Sequence, residues 1–191
     1  NEIIVLDLLG PDQPVIQGLE QPILDELHAE APATHRAEGQ NLDLKGETPV
    51  ARGQLKAADG WQEVMFGRTV KGRYVCLEAT DAQDGKDYAA LAELYVLDAQ
   101  GKPLPRLKWK IAYADSESTS WGNYTADKIY DLQESTYWGT RDKDRFPHQI
   151  VIDLGEEQEI SGLRLLPRAE EGRPGMIKGY KVYVKSSPFR F

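Results

Sequence analysis

The chain has 191 residues, enough for one sizeable core or for a domain of about 140 residues with an appended segment, and the second arrangement is the expectation. A formal net charge of -8 at pH 7 argues against nucleic acid or an anionic membrane surface as a partner, because phosphate recognition needs clustered Lys and Arg. No stretch approaches the length of an apolar membrane span, and Cys76 is the only cysteine, so no internal disulfide can form.

Ile3 to Leu9 is a nearly continuous apolar run closed by Gly10-Pro11, the pattern of a strand buried on both faces. Ile23, Leu24 and Leu27 suit a short helical turn. From His28 to Thr48 the composition turns to Ala, Glu, Gly, Pro and Thr, which is a linker composition. A boundary is placed near Gly46, so that residues 1–27 end a preceding domain, 28–48 link, and 49–191 form the main domain. His28 and His35 fall in the linker without a third ligand at usable spacing, so solvated surface histidines are expected there. The chain opens at Asn1 without a basic leader region or cleavage site and reads as a piece of something longer.

Val50 to Leu97 is all-β in pattern. Val64-x-Phe66 and Tyr74-Val75-Cys76-Leu77 alternate with polar residues, and Ala90-x-Ala92-x-Leu94-x-Val96 closes with the same period of two. Asp81, Asp84, Gly85 and Asp87 look superficially calcium-like but lack the spacing of a helix-loop-helix site, so a solvated hairpin loop is expected. Asp98 to Leu107, with Gly101, Pro103 and Pro105, reads as a connection. Between Ala126 and Val184 three blocks alternate apolar and polar residues, and Gly155, Pro167, Gly172, Pro174 and Gly175 punctuate the gaps, so short antiparallel strands follow. Trp61, Trp109 and Trp138 lie beside these strands and are expected in the core. No catalytic constellation emerges. Cys76 sits inside an apolar strand, His148 opens a strand with no G-x-S-x-G motif anywhere, and the Glu pairs at 156–157 and 170–171 read as turn surface.

Asp131 with Ser135-Thr136-x-Trp138, Pro147-His148 before Ile152-Asp153-Leu154-Gly155, Leu166-Pro167-Arg168, and Ile177-Lys178-x-Tyr180-x-Val182-Tyr183-Val184 together resemble the discoidin, or coagulation factor 5/8 type C, domain, close to carbohydrate-binding module family 32. The resemblance implies an all-β, discoidin-type (galactose-binding-like) jelly-roll β-sandwich. Residues 50–97 resemble the last portion of such a domain yet precede the first portion, which begins near Trp109. One circularly permuted domain would close both halves, with Asp98 to Leu107 joining the natural ends and the new ends falling after Tyr183-Val184; the alternative is a domain-swapped pair. Permutation predicts that Ala92 to Val96 pairs with Lys108 to Tyr113. At the other end, N-E-I-I-V-L-D-L-L-G-P and the following P-V-I-x-G-L resemble the close of the C-terminal jelly-roll of family 35 glycoside hydrolases, the β-galactosidases, which implies a catalytic domain upstream of this sequence.

In family 32 modules the sugar lies in loops at one end of the sandwich, where an aromatic ring stacks on it and charged or amide groups bind its hydroxyls. Arg168 and Tyr88 match two of those positions. Gly139 stands where the family carries a galactose-binding histidine, Asp142 where it carries a second aromatic, and Arg173 is the nearest substitute for an asparagine. Trp121, in the polar loop S-T-S-W-G-N-Y, is a replacement platform and Glu117 a hydroxyl acceptor. The alternative is that Arg168 ties down a strand end and Trp121 plugs the sandwich edge. Gly139→His is expected to strengthen galactose binding where the rest of the site is intact. The resemblance also implies one structural calcium held by Asp131, Ser135 or Thr136, and Glu93, although Leu132 and Gln133 replace the usual Gly and Asp or Asn. The function implied is a non-catalytic module, outside the cytoplasm, that binds galactose-like or plant cell-wall oligosaccharide for a β-galactosidase-like hydrolase. The alternatives are a structural module that binds no sugar, and an adhesive one, which would need apolar loop tips where these are mostly polar.

Overall fold

The computed structural model describes residues 41–168, 172 and 174–190, all of them within one compact unit. The apolar run 3–9, His28, His35, Glu170, Glu171 and Arg173 lie outside the described residues. The strands are β1 (Ala51–Gln54), β2 (Gln62–Ala79), β3 (Ala90–Leu91), β4 (Glu93–Asp98), β5 (Lys110–Ala114), β6 (Trp138–Gly139), β7 (His148–Leu166) and β8 (Gly179–Lys185), with a 3-10 turn at Ala126–Tyr130 between β5 and β6.

Two long strands carry the architecture. β2 and β7 pair antiparallel along almost their whole length, from Gln62↔Leu165 to Ala79↔His148, with register shifts between Met65 and Val70 and between Gly72 and Tyr74. Gly67 and Gly155 sit in this stretch at φ 72 and φ 84, conformations that glycine adopts without the Cβ penalty, so the strands bulge and bend where a turn was expected. The short strands expected on either side of Gly155 are therefore one strand. Its first half pairs with β5 and its second half with β4. β8 pairs with the second half of β2 and carries β1 on its other edge. The bent ribbon thus contributes to both layers of a discoidin-type β-sandwich: β1, β8 and β5 extend one, β4 the other.

The interior lies between those layers. Leu77, Ile150, Ile152 and Val182 from one meet Val64, Leu94, Val96, Leu163 and Leu165 from the other in a single cluster, joined by Trp109, Ile129 and Trp138. Residues on both sides of the Asp98 to Leu107 connection therefore share one core. The expected pairing of Ala92–Val96 with Lys108–Tyr113 is not found. Both segments pair with β7 instead, end to end along its length, and Pro103 turns back onto Leu97. The period-two reading of Ala90 to Val96 also fails, because Ala90 to Leu94 are all buried and divide between two sheets, β3 pairing with β6. Trp61 stays half-buried at the margin, with the Arg164 guanidinium 5.3 Å from its ring.

The outer face of the sheet is covered as well. Cys76, Tyr113, Val151 and Tyr183 point away from the main core and are capped by Leu42 and Phe189. Burial pushes the Cys76 thiol well above its ordinary range, which fits an inert apolar filler. Leu42 N donates to Gln149 Oε1 at 2.9 Å and Asp43 N to Arg190 O at 2.9 Å, so these two residues of the expected linker pack on the sheet.

Gly155→Ala is expected to lower stability by about 2 kcal/mol, because roughly 1–2 kcal/mol of left-handed strain adds to a Cβ placed 2.6 Å from Lys108 Cβ. Gly85→Ala, with φ 70 and nothing within 4 Å, should cost only the strain. Urea midpoints at unchanged slope would measure both, and equal losses would remove the close approach from the account.

Candidate functional site

The loop 118–124 is closed at its base: Ser118 and Tyr124 bridge, with Tyr124 N donating to Ser118 O at 3.1 Å, and Ser118 N donates to Gly139 O at 2.8 Å. Gly122 is required inside it, since a Cβ would lie 2.7 Å from the Tyr124 ring. Trp121 stands at the tip, 87% exposed, so it does not plug the sandwich edge. An indole left in water on a braced loop is an available platform.

Behind it runs a stack. Tyr124 and Tyr137 lie parallel with ring centroids 4.6 Å apart, and the Arg168 guanidinium carbon sits 4.0 Å from the Tyr137 centroid. Arg168 is only 5% exposed, donates to the Tyr88 hydroxyl, and has Nη1 3.5 Å from Pro174 O. Burial raises the Tyr88 pKa, Arg168 pulls it back and Asp142 adds to the rise, while burial and a bond to Tyr124 raise Tyr137 further. Both phenols therefore stay neutral across the physiological range, and the Tyr88 hydroxyl faces the cavity as a donor or acceptor.

Tyr88, Tyr124, Arg168 and Pro174 line a cavity of about 390 Å³ together with Trp121, and Lys86, Asp87, Ser118 and Asp142 complete its wall; Tyr137 lies outside that lining. The structure thus brings together Arg168, Tyr88 and Trp121 from three separate segments. Glu117 is not in that lining. It is buried, and its Oε1 accepts from Ala126 N at 2.6 Å, where it holds the start of the 3-10 turn. Arg173 lies outside the described residues. Lys86 and Asp87, read from sequence as part of a solvated hairpin loop, are exposed as expected and also stand in the cavity wall. Tyr124 was missed although it shares the S-T-S-W-G-N-Y loop with Trp121.

Gly139 has a physical reason to be glycine. A Cβ there would lie 2.5 Å from the Tyr88 hydroxyl, and one at Gly175 would lie 2.2 Å from Tyr88 Cδ1, so the phenol is wedged between two glycine backbones. Tyr88 occupies the room a side chain at Gly139 would need. A histidine at position 139 would therefore have to displace the Tyr88 phenol before it could reach a ligand.

The loop that follows the 3-10 turn was the expected calcium site. Asp131 and Glu93 do converge, both accepting from Gln133 N at 2.9 and 3.0 Å, and Thr136 Oγ1 lies 2.8 Å from Asp131 Oδ2. Leu132 keeps the left-handed turn with φ 66 despite being leucine, and is largely exposed. Ser135 is exposed. Cations already meet both carboxylates. Arg106 Nη1 lies 2.7 Å from Glu93 Oε2, with its Nη2 on Leu94 O at 2.8 Å, and Lys128 Nζ lies 3.6 Å from Asp131 Oδ2. Calcium wants about six to eight oxygens with net negative charge. A carboxylate pair neutralised by Arg106 and Lys128 does not fit that demand as arranged.

Residues 113–188 match the family model of the F5/8 type C domain. Domains of this type are non-catalytic binding modules, commonly for carbohydrate. The match takes in only the last two residues of β5 but all of β6, β7 and β8, and leaves Tyr88, Glu93 and Arg106 outside it. The chain is also similar to a sialidase of Micromonospora viridifaciens, 28% identical over an alignment of 149 residues, with 69% of this chain and 23% of the sialidase covered. A galactose oxidase of Gibberella zeae is 28% identical over 86 residues, 45% of this chain and 13% of the oxidase. The chain thus spans less than a quarter of the length of either relative. Within the F5/8 type C match, Trp121, Tyr124, Asp142 and Arg168 lie on the loops that end its strands.

Chelation is expected to leave the melting temperature unchanged. Arg106→Ala should cost about 3 kcal/mol by stranding Glu93, a carboxylate 1% exposed whose pKa burial already raises, and millimolar calcium should restore part of that loss. Gly139→His is expected to lower stability and to bind galactose no better than the parent. A gain in galactose affinity, read by calorimetry, would show that Tyr88 moves aside freely.

Proposed function

We propose that this domain is a carbohydrate-binding module, with the cavity between Trp121, Tyr88 and Arg168 as its site. The observation that carries the reading is Trp121, an indole held almost fully in solvent by a closed loop, on a cavity it shares with the neutral phenol of Tyr88 and the buried guanidinium of Arg168. A sugar ring offers an apolar face to such an indole and hydroxyls to such a floor. The mixed lining, with Lys86 and Arg168 against Asp87 and Asp142, suits hydroxyl recognition better than capture of a strong anion. That a sialidase and a galactose oxidase carry similar segments supports the same class of ligand.

The module would act as an accessory to a catalytic domain elsewhere in a longer protein, raising the local concentration of glycan substrate, a gain that needs only weak affinity. The likeness of residues 1–27 to the end of a β-galactosidase jelly-roll supports a glycoside hydrolase as that parent, acting outside the cytoplasm. Circular permutation is part of the proposal. It is supported by the single core shared across the 98–107 connection and by the meeting of Asp43 with Arg190 on one face. A second reading, a module that packs on a catalytic region without sugar, draws on the wedged Tyr88 and the buried Arg168, which are also what a purely structural edge would contain.

Titration with galactose, arabinose and plant-wall oligosaccharides separates the two. Binding should appear as heat and as a change in tryptophan fluorescence, and Trp121→Ala should abolish both while leaving the unfolding midpoint within about 0.5 kcal/mol, as befits an exposed residue. Absence of any signal from the folded parent domain would leave the structural reading.

A further inference from the structure

Trp121 borders more than one space. A second cavity of about 560 Å³ shares Ser118, Trp121 and Asp142 with the first and adds Ser120, Arg141, Lys143 and Asp144. Sharing those three residues, the two spaces adjoin as a groove with Trp121 in its wall. A ligand confined to the first would leave the second in water, whereas a longer chain that spans both would cover more of the exposed indole.

We propose that the groove binds a neutral oligosaccharide of at least two sugar units, one beside Tyr88 and Arg168 and the next against Ser120 and Lys143. This rests on the carbohydrate-binding reading and extends it from a single sugar to a chain. Charge balance selects neutral glycans. The first cavity sets Lys86 and Arg168 against Asp87 and Asp142, the second sets Arg141 and Lys143 against Asp142 and Asp144, so neither presents a net positive field, and the chain carries -8 in all.

The second wall is fixed in advance. Ser116 Oγ donates to Asp144 Oδ2 at 2.6 Å, Arg141 Nε lies 2.8 Å from the same oxygen, and Arg141 N donates to Ser116 Oγ at 2.9 Å. Ser116 itself is fully buried, and its carbonyl accepts from Trp138 Nε1 at 2.9 Å, which anchors this wall to the sandwich core. Although burial works against it, the bonds from Ser116 and Arg141 hold the Asp144 carboxyl below its ordinary range, so it remains an acceptor for hydroxyls. A wall held this way loses little entropy when a ligand arrives.

The test is calorimetry on the whole chain with galactose and arabinose, each against its linked trisaccharide, and with lactose against sialyllactose. Ser120 is exposed, so Ser120→Phe should fill the second cavity without disturbing the fold. The expected result is a trisaccharide that binds about tenfold tighter than its monosaccharide. Ser120→Phe should erase that gain and leave monosaccharide affinity unchanged, and sialyllactose should bind no better than lactose. Monosaccharide binding with no gain for the trisaccharide would overturn the chain proposal alone, as would an equal loss of both in Ser120→Phe. Tighter binding of sialyllactose would overturn neutrality. No binding of any sugar by a folded protein would overturn this and the carbohydrate-binding reading together.

Discussion

The structure depends on one continuous antiparallel pairing, β2 against β7. Each strand is longer than a single layer needs, and the surplus takes the pair from one layer of the sandwich into the other. Left-handed glycines at Gly67 and Gly155 let the chain bend while the backbone bonds on either side are kept. Because the same two strands serve both layers, the main core is one body, and a cavity in either layer would weaken both. Strands β4, β5 and β8 find their partners only because this ribbon exists.

The candidate site is a consequence of that bend. Arg168 follows directly from the end of β7, Tyr88 precedes β3, and the loop carrying Trp121 leaves from β5. Stacking then couples them: Tyr124 at the base of the Trp121 loop lies on Tyr137, and Tyr137 lies under Arg168. Tyr88 completes the floor because Gly139 and Gly175 leave it room. The rigid parts are thus the floor and the loop base, and the exposed part is the single indole. Such a division, a preorganised floor with an accessible aromatic, keeps the entropic cost of weak binding low.

The loop around Glu93 solves a problem of charge by internal means. A buried carboxylate beside a second one needs positive charge nearby. Arg106 supplies it from the connection between β4 and β5, and it also lies 4.0 Å from the centroid of Tyr95, so one guanidinium fastens the loop, the strand and the connection. Leu132 in a left-handed turn shows that this arrangement holds the loop firmly enough to bear a strain that glycine would avoid.

Alternation of apolar residues and the Pro and Gly punctuation were enough to read an all-β chain, because strand period and loop composition are local properties. Arg168, Tyr88 and the interior shared across the 98–107 connection came instead from the resemblance to family 32 modules, and Trp121 from its polar loop. The sequence by itself therefore determined the class of fold and only nominated residues for a candidate site. It did not reveal that Gly155 is a bulge within one strand, since a left-handed glycine serves a bulge and a turn equally well. It did not reveal that Glu117 holds a backbone amide, that Lys86 and Asp87 wall a cavity, or that Arg106 stands beside Glu93. Those outcomes are pairings between residues far apart in the chain, and only the tertiary structure decided them, because which charge meets which and which ring fills which gap depend on distances that no local pattern encodes.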